Sequence, residues 1–193
     1  MRFLELIAAV VVGGMIPTIL FFLEKRWDAR SRAYNWFVER FIEGSTDALH
    51  EFFGRWALLS SLPARDPREL LKNPAFTEVP HQGISRLSAI TGGVSFQNWF
   101  NAMRGSWLRA AHRGDWSGLS TFQTQAASIC EHLNTLRRDL LAQKVKRKAD
   151  VYKLRKLPCV ACFNDALSGM TDQLTQDPNV TTYPRRQEDA PPQ

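Results

Sequence analysis

Apolar positions along this chain follow distinct rhythms, and the first is a solid block. From Leu6 to Leu23 eighteen residues pass without a charge, and Phe3 lengthens the run to twenty-one if Glu5 is admitted near its end. At about 1.5 Å of rise per residue a helix of this length covers roughly 27–31 Å, the thickness of a bilayer's hydrocarbon core. A helix buried in a soluble core carries polar positions on one face, and none occurs between Leu6 and Pro17. A cleaved signal peptide has a shorter apolar region ending in small residues, whereas this one ends Leu20-Phe21-Phe22-Leu23-Glu24. The block therefore predicts a retained transmembrane signal-anchor over residues 1–24. Lys25, Arg26 and Trp27 follow at the depth where cationic and indole side chains favour the membrane interface. Pro17 is tolerable inside a membrane helix, and Ala9 with Gly13 forms a small-xxx-small pair able to seat another helix.

Beyond the block the rhythm changes to steps of three and four. Tyr34, Phe37, Phe41, Ser45, Ala48, Phe52, Trp56 and Leu59 fall along one stripe of a juxtamembrane helix spanning 25–62, with Gly44 as its weak point. Pro63, Pro67, Pro74 and Pro80 then define a connector, 63–83, too proline-dense for a long helix. Within it RDPRELLKNP predicts one short helix, with Asp66 as N-cap, Pro67 in the first turn and Glu69 completing a capping box.

Residues 84–176 carry the remaining helices of a bundle. Ile84–Ile90 predicts a short helix stopped by Gly92-Gly93. Ser95 is a candidate cap for the next, whose Phe96, Trp99, Phe100, Met103, Trp107 and Leu108 make a broad apolar face ending near Gly114. Asp115 is placed to cap the longest helix. There Leu119, Phe122, Ala126, Ile129, Leu133, Leu136 and Leu140 keep an a/d pattern for three heptads, the signature of a helix packed along its length, in an intramolecular bundle or a coiled coil. That helix is expected to run through the basic segment to Pro158, with a last one over 159–175. Residues 177–193, with four prolines and little bulk, predict a disordered tail. No strand signal or internal repeat is present, so the fold class is all-α.

Charge sharpens this picture locally. The chain carries a net +6, yet residues 137–156 alone hold nine Lys/Arg against two Asp, so the basicity belongs to one segment. Arg2 stands alone before the apolar block while Lys25, Arg26, Arg30 and Arg32 crowd its far side, which predicts a single-pass cell-membrane protein with a cytoplasmic body. On a continuous helix Arg137, Lys144, Lys148 and Arg155 fall within about 40° of one another, a candidate anion-binding row. If the chain leaves the bilayer, returns through 96–112 and leaves again along the heptad helix, that row ends far beyond a Debye length of about 8 Å from the headgroups. Such a topology favours nucleic acid or an acidic protein as the anion over lipid, with Tyr152 alone available to stack a base.

Catalytic chemistry finds little footing. Pro158-Cys-Val-Ala-Cys162 is one CxxC opening a helix, where backbone N–H groups could lower the Cys159 thiol pKa, but the strands that surround a redox motif of this kind are missing. A zinc site would need more ligands than Cys130 and His132 offer, and an odd total of three cysteines leaves one unpaired in any disulfide scheme. Asp47/His50 and Glu78/His81 mimic the carboxylate-x-x-His spacing of di-iron bundles, the second pair beside Pro80. No phosphate-binding loop, nucleophile elbow, His-Glu-x-x-His or dinucleotide fingerprint occurs. The expectation is a non-enzymatic interaction or scaffold protein, needing neither metal nor cofactor, that holds a protein partner at the cytoplasmic face of a membrane. A membrane-tethered nucleic-acid binder and, behind it, a thiol enzyme are the alternatives. Oligomeric state is not legible.

Overall fold

The computed structural model describes residues 2–58, 72–113 and 119–176, with side chains described for all of these except 2–14, 75, 110–113, 119 and 176. Among the described residues there are helices and no strand, which establishes the all-α class. A helical rod opens the chain: α1 (Arg2–Phe37), a π-helical segment (Val38–Asp47) and α2 (Ala48–Ala57) follow one another without a break. Then come α3 (Pro74–Thr77), α4 (His81–Thr91), α5 (Val94–Arg113), α6 (Leu119–Leu141), a 3₁₀ segment (Lys148–Lys156) and α7 (Pro158–Gln176). The proposed cap and helix at Asp66–Glu69, the Asp115 cap, Leu59 and the tail 177–193 lie outside the described residues.

The first rod divides sharply by burial. Every described residue from Met15 to Arg32 is exposed, and burial begins at Ala33 and Phe37. From there the predicted stripe holds at Phe37, Phe41, Ser45, Phe52 and Trp56, but Ile42, Thr46, Leu49 and Phe53 are buried as well. The π segment accounts for the second set. Its wider turn advances less than 100° per residue, so neighbours 41/42 and 45/46 face inward together and the stripe slips by one, leaving Ala48 only half-buried. The Ser45 hydroxyl donates to the Arg40 carbonyl at 3.3 Å, five residues back, as this spacing allows. Gly44 permits a close approach here: a Cβ on it would stand 2.5 Å from Nη1 of Arg86, which donates to the Gly44 carbonyl at 3.4 Å.

α2 lies against α6, α5 against α7, and α4 against the π segment, and one continuous apolar core joins them. All the described heptad positions of α6 are buried: Phe122, Ala126, Ile129, Leu133, Leu136 and Leu140. The pattern therefore serves an intramolecular bundle. Aromatic rings fill the centre, with Phe53–Trp99 and Trp56–Trp107 centroids 5.1 and 4.6 Å apart. Gln125 ties three helices together inside this core. Its Oε1 accepts from Trp99 Nε1 at 2.9 Å, and its Nε2 donates to the Met170 carbonyl at 3.3 Å and to Gln173 Oε1 at 3.0 Å.

Three boundaries differ from the sequence reading. Gly92 and Gly93 stop α4 with φ of 89° and 94°, as expected, but α5 starts at Val94, which places Ser95 inside its first turn instead of at the cap. Pro158 opens α7 at the position where a missing N–H costs nothing. The largest difference concerns α6, which ends at Leu141 and does not run on to Pro158. One more heptad would carry Gln143 and Arg147 into the buried a/d positions, where an unpaired polar group or charge is expensive. The chain turns instead, burying Val145, Val151 and Leu154 and leaving the cations in solvent.

Among the described residues no helix is long and apolar enough to cross a membrane. The first half of the apolar block, through Gly14, lies outside the residues whose side chains are described. The described remainder, Met15–Leu23, reaches only about 13 Å.

Candidate functional site

Because α6 stops at Leu141, the predicted row of Arg137, Lys144, Lys148 and Arg155 does not form on one helical face. Each of the four has its own setting. Arg137 Nη1 reaches Asp47 Oδ1 at 3.3 Å, joining α6 to the π segment across a half-exposed surface. Arg155 Nε donates to the Ala89 carbonyl at 2.9 Å while its guanidinium lies 5.5 Å from the Tyr152 ring centroid. Lys148 Nζ sits 5.0 Å from the centroid of Trp36. Lys144 is exposed and lines a cleft against α1. Arg137 and Arg155 are thus engaged in holding elements together, whereas Lys144 and Lys148 face the first helix.

The same turn changes the whole placement of the basic segment. Tyr34 Oη donates to the Leu141 carbonyl at 3.4 Å, and the 3₁₀ segment packs on α1. One cleft is walled by Trp27, Arg30 and Tyr34 of α1 and by Leu141, Lys144 and Lys146 of the turn; it encloses about 480 Å³. A second, of about 460 Å³, adjoins it and shares Arg30 and Lys146, adding Arg26, Arg147, Asp150 and Lys153. The basic residues therefore stand beside the helix at the level just past Leu23. They are not remote from the apolar block, as the expected up-down-up path requires. Among the described residues lining these clefts Asp150 is the single acid. Hydrogen bonds from Lys153 Nζ (3.0 Å) and the Arg147 backbone N–H (3.0 Å) hold its carboxyl below the usual carboxylate range.

The residues predicted at the membrane interface follow the exposed helix. Trp27 is 72% exposed, and Lys25 lies back along α1 with Nζ 5.8 Å from the Phe21 ring centroid, its stem covering apolar surface and its charge directed toward the block. Arg26 borders the second cleft.

The other candidates for chemistry are absorbed by the fold. Asp47 is taken by Arg137, and His50 Nε2 lies 3.1 Å from Asn134 Nδ2, so this pair stitches the first rod to α6. No group of three or more His, Cys, Asp or Glu able to hold a metal occurs among the described residues. Cys130 Sγ donates to the His50 carbonyl at 3.7 Å, and burial pushes its thiol pKa up to about 11. Cys159, at the start of α7, is also raised: burial, with a smaller push from the Asp139 carboxylate, outweighs the helix-start N–H groups. That is the reverse of what a nucleophilic thiol needs. Cys162 is exposed, and all three cysteines are free.

An all-helical bundle carrying an unpacked apolar helix and a basic collar around its root is what fold and site together define. No family model, no curated protein and no solved structure matches this chain.

Proposed function

We propose that the chain is a membrane-anchored helical interaction protein: the apolar block crosses the bilayer once, the bundle lies on the cytoplasmic side, and the bundle holds a protein partner there without catalysing a reaction. One observation carries the anchor. Met15, Ile16, Ile19, Leu20, Phe21, Phe22 and Leu23 each expose half or more of their surface, all around the helix, and none of the described bundle residues covers them. These residues continue a run that begins at Leu6. An apolar surface this large is costly in water and is stabilised by lipid immersion. Thr46 and Thr91 donate to the Ile42 and Leu87 carbonyls of their own helices, Gln125 bonds to α5 and α7, and Ser106 accepts from Arg109.

Two properties test the anchor and its orientation together. After an alkaline carbonate wash the full chain should remain in the membrane pellet. In intact cells an impermeant maleimide should leave Cys162 unlabelled until the membrane is opened, and label it rapidly thereafter. Cys130 is the internal control: burial pushes its thiol pKa up to about 11, so little of it is thiolate at pH 8, and it should react far more slowly than the exposed Cys162. Labelling of Cys162 in sealed cells would reverse the orientation.

A further inference from the structure

The basic segment has been placed where the sequence did not put it, and the placement suggests an occupant. Arg26 and Arg30 lie within about 40° of each other on the face of α1 that continues to Ala33 and Phe37, the face turned toward the body. Glu24 and Asp28 fall roughly opposite on the same helix. Across the two adjoining clefts stand Lys144, Lys146, Arg147 and Lys153. The only acid among the lining residues, Asp150, is bonded to Lys153 and to the Arg147 backbone. Arg26, Arg30, Lys144 and Lys146 have no ion-pair partner among the described residues. The uncompensated charge is therefore concentrated at the root of the apolar helix.

Position then selects the anion. Arg26 and Arg30 are three and seven residues past Leu23, about 5–10 Å along the axis. That distance is comparable to a Debye length of about 8 Å, and lysine stems can shorten it further. The first cleft also has the right chemistry for a lipid headgroup region. Trp27, Tyr34 and Leu141 offer apolar and amphipathic wall beside Arg30, Lys144 and Lys146, and its volume of about 480 Å³ lies within the range of small-ligand sites, about 300–1,000 Å³. A soluble polyanion gains nothing from proximity to the bilayer.

We infer that the clefts between residues 26–34 of α1 and residues 141–153 form a binding site for the phosphate-bearing headgroup of an anionic phospholipid in the leaflet that α1 enters. This rests on the membrane reading of α1. The collar would fix the bundle against the bilayer surface, at a set height and rotation, instead of leaving it to swing on its anchor.

The test uses the full chain reconstituted into phosphatidylcholine vesicles holding a trace of spin-labelled phosphatidylglycerol or, separately, spin-labelled phosphatidylcholine. Vesicle flotation reads the anchor, and the motionally restricted lipid fraction reads the collar. The expected result is flotation in both cases, with the anionic lipid enriched at the protein by roughly fivefold or more at low salt and less at high salt. In the triple variant Arg30→Gln, Lys144→Gln, Lys146→Gln, flotation and helical content should be unchanged while the preference falls to near unity. Flotation without anionic preference overturns the site and leaves the anchor standing; failure to float overturns both. A variant that keeps the full preference also overturns the site. So does loss of the preference on adding inorganic phosphate at constant ionic strength, which would make free phosphate the occupant. Displacement by a short single-stranded oligonucleotide would assign the cations to nucleic acid instead.

Discussion

Replacing Ile16 and Ile19 together by aspartate should move the protein from the carbonate-resistant pellet to the supernatant without unfolding it. Both side chains are about half exposed and touch no part of the bundle core. Ile16 lies near the middle of the Leu6–Leu23 run, and Ile19 is less than a turn further on. An acidic residue near the centre of a membrane helix costs about 2.5–3.5 kcal/mol by insertion measurements, so the pair removes roughly 5–7 kcal/mol from the anchor's preference for lipid. Because burial begins only at Ala33, the bundle should keep its thermal midpoint in detergent within a degree or two. A soluble protein in which this helix packed against the body would respond in the opposite way, by losing its fold.

The bundle's most sensitive point is expected at Trp99. Its side chain is fully buried, packs at a tilt against the rings of Phe53 and Phe96, and donates its indole proton to Gln125. Trp99→Ala opens a large cavity and strips Gln125 Oε1 of its donor, for a loss of about 3–5 kcal/mol from the cavity alone. Against a total stability of about 5–15 kcal/mol, that should lower the thermal midpoint by ~10 °C or more in mild detergent, followed by circular dichroism. Gln125→Leu isolates the polar part. It leaves the ring packed but orphans the indole N–H, so it should cost about 1–3 kcal/mol. Arg55→Ala, which removes only an exposed pair with Glu51, should shift the midpoint by little, since exposed ion pairs contribute under about 1 kcal/mol. If Gln125→Leu proves neutral, the buried hydrogen bonds are not what aligns α5, α6 and α7.

Much of the helical architecture is legible in residue spacing alone. The heptad of α6 is buried as its pattern requires, the aromatic face of α5 turns inward from Phe96 to Trp107, and Gly92-Gly93 end α4 in the left-handed conformation only glycine takes easily. Two features were hidden for physical reasons. The π segment is a slip in helical register, and a pattern drawn at 100° per residue assigns Ala48 where the wider turn puts Leu49. The end of α6 was masked because the basic residues that follow are good helix formers. The signal that could have placed the boundary is in the heptad itself: its next three positions are Gln143, Arg147 and Asp150, while Val145 and Val151 supply apolar anchors out of phase. That one boundary decides the candidate site, since it dissolves the row of Arg137, Lys144, Lys148 and Arg155 and swings the basic segment onto α1.

The depth of α1 in lipid is the most direct test of the central claim. Single spin labels placed in turn from 15 to 34, with the three native cysteines replaced by alanine and the full chain in phospholipid bilayers, report collision with oxygen and with a water-soluble nickel chelate. Oxygen should dominate at every position through Leu23, the nickel chelate should take over on the exposed face from Trp27 onward, and Ala33 should be shielded from both. Nickel access equal to that of position 28 at positions 16, 19 and 20 would place this helix in water and contradict the account.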